Sequence, residues 1–86
     1  MLNFPNASRV FDSTRRAIRF WGHDSAMEWS FYITEEALYR LQPNAAHDEA
    51  NLLHAFDTNR AKIHAAAKTA YERERKGSYE LVALDF

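Results

Sequence analysis

His23, Asp24 and Ser25 stand side by side in this chain, and those three side-chain types are the parts of a nucleophilic triad. A triad needs a hydrogen-bonded relay converging on one reacting atom, whereas adjacent residues in a turn point in different directions. Gly22 followed by His, Asp and Ser is ordinary turn composition, so no catalytic residue is assigned. The remaining histidines are His47, His54 and His64. His47 and His54 are seven residues apart, two turns along one helix face, too far along the axis to hold one ion. A helical metal pair needs about four residues of separation, which no histidine spacing here supplies. No metal, no cofactor and no enzymatic activity are expected.

Arg9, Arg15, Arg16 and Arg19 make a second constellation, beside Phe20 and Trp21. Arginines interleaved with aromatics on a sheet can hold a nucleic-acid backbone and stack its bases. Between Arg9 and Arg19 the only acid is Asp12, so the four arginines are a candidate nucleic-acid contact. Against that, the formal net charge is −1 and there is no ribonucleoprotein-type aromatic motif. A solvated strand face, with arginine stems covering aromatic rings, is the favoured reading.

A third set could join another protein. Trp21 and Tyr32 have opposite parity to Phe20 and Phe31, which places them on the sheet face away from the helices. A partly exposed Trp and Tyr beside Arg19 have the composition of an interface hot spot. Asn59 falls inside an apolar helical stripe, with Arg60 next to it. A polar residue there either bonds a neighbouring backbone or meets another chain, and the local bond is favoured. Trp21, Tyr32, Asn59 and Arg60 are therefore the candidate protein interface.

These residues need elements to carry them. Arg9 to Phe11 reads as a short strand, with Asp12-Ser13-Thr14 as its turn. Arg16 to Trp21 and Met27 to Ile33 alternate apolar and polar, which predicts two half-buried antiparallel strands around a turn at Gly22–Ser25. Thr34 has the chemistry of an N-cap, and a short helix from Glu35 to Leu41 ends before Pro43. From Asp48 to Lys76 the pattern predicts one long helix, capped by Gly77 in the left-handed conformation. At 1.5 Å per residue it would span roughly 40 Å, against a diameter of about 30 Å for a domain of this size. Such a rod would overhang its own domain and offer a docking surface. Asp57-Thr58-Asn59 has the poorest helix propensity, but the absence of Gly and Pro favours continuity. Tyr79 to Phe86 closes the chain as a last strand. The expected architecture is α+β: an antiparallel sheet, a meander of about three strands plus a C-terminal one, with a short and a long helix on one face.

The bulk numbers agree with one domain spanning residues 1–86. Eighty-six residues, 47% hydrophobic with twelve aromatics, suffice for a packed core. There is no cysteine, which excludes disulfides and thiolate metal sites. No apolar run approaches the roughly 20 residues of a membrane span, and Met1 to Ser8 lacks a secretory layout. A cytoplasmic protein with no membrane partner is expected.

The order Arg9-Val-Phe-Asp-Ser-Thr-Arg-Arg-Ala-Ile-Arg-Phe, then Trp29 to Thr34 with Glu36-Ala37-Leu38, then Ala55-Phe56-Asp57-Thr58-Asn59-Arg60 with Ile63, and finally Tyr79 to Phe86, resembles the DUF1488 family. The resemblance covers nearly the whole chain. It implies a compact α+β domain in bacterial cytoplasm and brings no catalytic residue, cofactor or substrate class. The expected role is a non-enzymatic interaction module, self-associating or with an unknown protein partner. The alternative is a nucleic-acid-binding regulator that uses the basic hairpin.

Overall fold

Strict alternation of apolar and polar residues builds the sheet. β1 (Arg9–Asp12), β2 (Ala17–Asp24) and β3 (Met27–Thr34) form an antiparallel meander in the computed structural model, which describes all 86 residues. The register sets Ile18 against Ile33 and Phe20 against Phe31, so all four side chains enter one core. Asp12 holds the first turn, its carboxylate accepting from the amides of Thr14 and Arg15 at 3.0 and 3.1 Å. The second turn is shorter than expected. It consists of Ser25 and Ala26, with Ser25 in the left-handed region at φ 56°. Gly22 and His23 instead continue the strand. Gly22 is there for close approach: a Cβ would lie 2.9 Å from Phe31 Cε1 and 3.0 Å from atoms of Leu2 and Phe4.

Thr34 caps α1 (Glu35–Leu41) as expected, its hydroxyl accepting from the Ala37 amide at 3.2 Å. Asp48 caps the next helix in the same way through Asn51. The single long helix is not observed. α2 (Glu49–Thr58) and α3 (Arg60–Arg73) are separate helices that meet at Asn59, whose φ and ψ are −110° and 18°. The Asn59 amide is shared between the carbonyls of Ala55 and Phe56. Its side-chain nitrogen also donates to Ala55 O at 2.8 Å and to Gln42 Oε1 at 3.1 Å. A side chain that competes for backbone carbonyls and is anchored outside the helix bends it at that point.

The two pieces, of ten and fourteen residues, are about 15 and 21 Å long. Both pack flush on the sheet through Leu52, Ala55, Phe56, Ile63, Ala67 and Tyr71, all buried. The molecule measures 36 × 23 × 23 Å with a radius of gyration of 12.1 Å. No rod outgrows the domain, so the docking surface expected from one is withdrawn. α3 also ends earlier, at Arg73, and Gly77 does not take the left-handed conformation.

β4 (Ser78–Leu81) completes a four-stranded sheet of order β1-β2-β3-β4, and it runs parallel to β3. The helical crossover returns the chain to the end of the sheet from which β3 started, and that enforces a parallel pairing. The strand is half the expected length, because after Leu81 the chain enters a one-turn 3-10 helix at Ala83–Asp85. Tyr79 and Leu81 are buried while Ser78 and Glu80 are exposed, so one face is covered and not both. The fold is α+β: three helices on one side of a mostly antiparallel sheet, the other side left bare.

Candidate functional site

Register decides which side chains share the bare face. Val10, Arg19, Tyr32 and Glu80 lie in one row across the four strands; Trp21, Ser30 and Ser78 form the next. The Arg19 guanidinium carbon sits 5.1 Å from the centre of the Trp21 ring and 5.8 Å from that of Tyr32. Arg15, arriving from the first turn, lies 4.1 Å above Tyr32. The result is a ladder of ring, cation, ring and cation across the sheet. Each step is worth about 0.5–1 kcal/mol at an exposed site. Arg19 Nη2 donates to Ser30 Oγ at 2.9 Å, and its buried Nε has no acceptor in the chain.

Trp21 is half-buried on this face. Tyr32 differs from expectation: it lies on the predicted face but is only 9% exposed. Parity gave its side correctly. The guanidinium groups of Arg15 and Arg19 cover its ring, so the accessible surface there is arginine.

The other two arginines are engaged elsewhere. Arg9 binds Asp57 on α2 through two nitrogens, at 3.0 and 2.8 Å. Arg16 grips Glu35 on α1 at 3.0 and 2.7 Å. Paired donors on one carboxylate make these staples between the hairpin and the helices. The Arg9 hydrogen bond holds the Asp57 carboxyl below the usual aspartate range. Asn59 and Arg60 are also engaged inside the chain. Asn59 holds the break between α2 and α3, and Arg60 donates to Ala7 O at 2.8 Å and to Asp57 at 2.9 Å. They lie among these intramolecular bonds, away from the ladder that joins Trp21 and Tyr32.

The histidines are dispersed. His23 lies 3.0 Å from Glu28, and His47 is packed on Tyr39 with centroids 4.2 Å apart. His54 is exposed. No group of three His, Asp or Glu side chains converges as a metal site would require. His64 stacks on Phe4, with centroids 3.9 Å apart and planes within 7°. Burial, helped by Arg60 and Lys68, pushes its pKa below the ordinary histidine value. The folded state therefore takes up the proton less readily than the unfolded chain. Stability is greatest above the unfolded pKa of about 6.5 and falls as pH drops from there toward the lower folded value. Urea titrations at pH 7.5 and 5.0 should show this loss, and His64→Phe should reduce it while keeping the stack. An unchanged pH dependence in that variant would assign the loss to other groups.

One cavity, of about 180 Å³, joins two shifted groups, Asp24 and Tyr71, beside Leu2, Lys68 and Arg75. The Tyr71 hydroxyl donates to Asp24 Oδ2 at 2.6 Å, and Arg75 lies 3.8 Å above the tyrosine ring. The amino group of Met1, then Tyr71, hold the Asp24 carboxyl low, and the bond to Asp24 holds the Tyr71 hydroxyl high. Both shifts lead away from neutrality. The bond between the two side chains joins β2 to α3. A larger, shallower groove of about 740 Å³ runs between α1, α3 and the C-terminal turn. Its Arg40 is occupied by Phe86 O at 2.6 Å.

Sequence reasoning missed the Arg15–Tyr32 stack and the Asp24–Tyr71 bond. They link residues 17 and 47 positions apart, and no local pattern marks either.

The DUF1488 family model, described as a protein of unknown function, matches residues 2–82. In three dimensions the chain superimposes with a TM-score of 0.82 on the crystal structure of a protein of unknown function from the DUF1488 family of Shewanella loihica PV-4. That alignment covers 93% of this chain and 90% of the other at 20% identity, and at such identity it speaks for the fold alone. No curated protein matches the chain. With the family model spanning nearly all of its length, and the same fold in the Shewanella structure, the chain belongs to the DUF1488 family.

Proposed function

We propose that this chain is a non-enzymatic protein-interaction module that works through the bare face of its sheet. The ladder of Trp21, Arg19, Tyr32 and Arg15 carries the reading. A tryptophan and arginines, pre-ordered on a rigid strand surface, are the residue types that anchor protein interfaces. Nucleic acid is the weaker reading. Two of the four arginines of the basic hairpin already hold carboxylates. Of the two that remain, Arg15 has Asp12 at 3.9 Å, and Glu28 and Glu80 share the face.

A photo-crosslinking side chain placed at Ser30, inside the ladder, or at Lys62, on α3, separates the outcomes. Discrete adducts are expected from Ser30 alone, and Trp21→Ala should reduce them at least tenfold. Equal labelling from both positions, or none from Ser30, would end the reading. Tight binding to single-stranded RNA that weakens steeply with salt would move the assignment to the nucleic-acid alternative.

A further inference from the structure

We infer that the occupant of the bare face is a second copy of this chain, related by a two-fold axis running along β3 between the two faces. The inference rests on the reading above that this face is an interface, and it names the partner. The observation is the order of side chains across the rows. In one row Arg19 on β2 and Glu80 on β4 flank Tyr32 on β3. In the next, Trp21 on β2 and Ser78 on β4 flank Ser30.

Strands lie about 4.8 Å apart and packed faces about 10 Å apart. A two-fold axis along the central strand of the three exchanges β2 and β4 while keeping each row at its own level. It therefore sets Arg19 of each copy against Glu80 of the other, twice by symmetry. The same operation lays Trp21 over Ser78, a large side chain over a small one. An axis across the strands would set β2 on β2 and leave Arg19 without an opposite charge. Glu28, the other acid on this face, lies on β3 beyond the rows that β4 pairs, with its own His23 at 3.0 Å; within the two paired rows the surface matches itself in charge and in size, as a closed two-fold interface requires. Arg15 comes near the axis, where its own Asp12 at 3.9 Å offsets its charge.

The contact is small. β2, β3 and β4 run side by side only over the four residues of β4, which presents roughly 200 Å² of projected area per copy, below the ~800 Å² per partner of a standard interface. Assembly should therefore be weak and reversible.

Sedimentation equilibrium of the native chain up to about 1 mM, where a dimer with a millimolar or tighter dissociation constant is populated, is the first measurement. It should show a monomer–dimer equilibrium. Arg19→Glu and Glu80→Arg should each weaken self-association at least tenfold, because each sets like charges opposite one another. Mixed one to one, the two variants should pair, since the introduced carboxylate of one then faces the introduced guanidinium of the other. A native chain monomeric throughout would overturn the second copy as occupant, while adducts from Ser30 to a different protein would keep the interface reading. Two variants that are folded by circular dichroism yet fail to pair would overturn the axis. Should either fail to fold, Ser30→Cys treated with a short bis-maleimide gives the decision. The chain has no other cysteine, and Ser30 lies on the axis. A covalent dimer is expected there and not with Lys62→Cys; its absence overturns the proposal.

Discussion

Phe20→Ala should remove about 3–5 kcal/mol of stability, the largest loss expected of any single change in this chain. Phe20 is 1% exposed, and its ring lies 5.2 Å from Phe56, 5.5 Å from Phe31, 6.0 Å from His64 and 6.1 Å from Phe4, centre to centre. It joins β2, β3, α2, α3 and the N-terminal segment, so no single neighbour can move in to fill the space. Truncating a buried phenylalanine costs about 3–5 kcal/mol, lost transfer energy and cavity together. A chain of this length has a total stability of roughly 4–13 kcal/mol. The loss is thus a large share of the whole. Urea denaturation followed by far-ultraviolet circular dichroism is the check, and a loss under about 1 kcal/mol would mean that these rings do not form one core.

Gly22→Ala should be the second most damaging change, although it adds one carbon. That carbon meets Phe31 at 2.9 Å and Leu2 and Phe4 at 3.0 Å, and two of the three obstacles are rings already wedged against others. Overpacking of this kind costs about 1–3 kcal/mol, or a fall in Tm of roughly 5–20 °C for a domain this small. Gly77 is the internal control. An added Cβ there meets nothing within 4 Å, and its backbone is not left-handed. Gly77→Ala should leave Tm unchanged or raise it slightly, because it restricts the unfolded chain. Equal effects at the two glycines would contradict the packing around β2.

The contrast between these glycines shows what a sequence can and cannot convey. Gly22 beside His, Asp and Ser has turn chemistry, and nothing nearby reveals that Leu2, Phe4 and Phe31 converge on it. Local signals elsewhere were sufficient. Alternation from Met27 gave β3 its extent and its faces, and Thr34 before Glu35 and Glu36 marked the start of α1. The break at Asn59 had a local signal, weak propensity from Asp57 to Asn59, but its decisive partner is Gln42, on the far side of a loop. Likewise the charge of the basic hairpin was legible and its fate was not. Arg9 finds Asp57 forty-eight positions away, and Arg16 finds Glu35 nineteen away. The strand direction of β4 depended on where three helices return the chain, which no four-residue pattern can encode.

That parallel strand sets a schedule for the newborn chain. Once Thr34 has been added, the ribosome must link about 45 more residues before β4 exists, roughly 2–9 s at 5–20 residues per second. Throughout that interval the outer margin of β3, with Phe31 and Ile33 beside it, has unpaired backbone groups and nothing native to pair them with. Neighbouring nascent chains on one messenger would carry the same open margin at the same time. Crowded translation is therefore when this small protein is most exposed to aggregation.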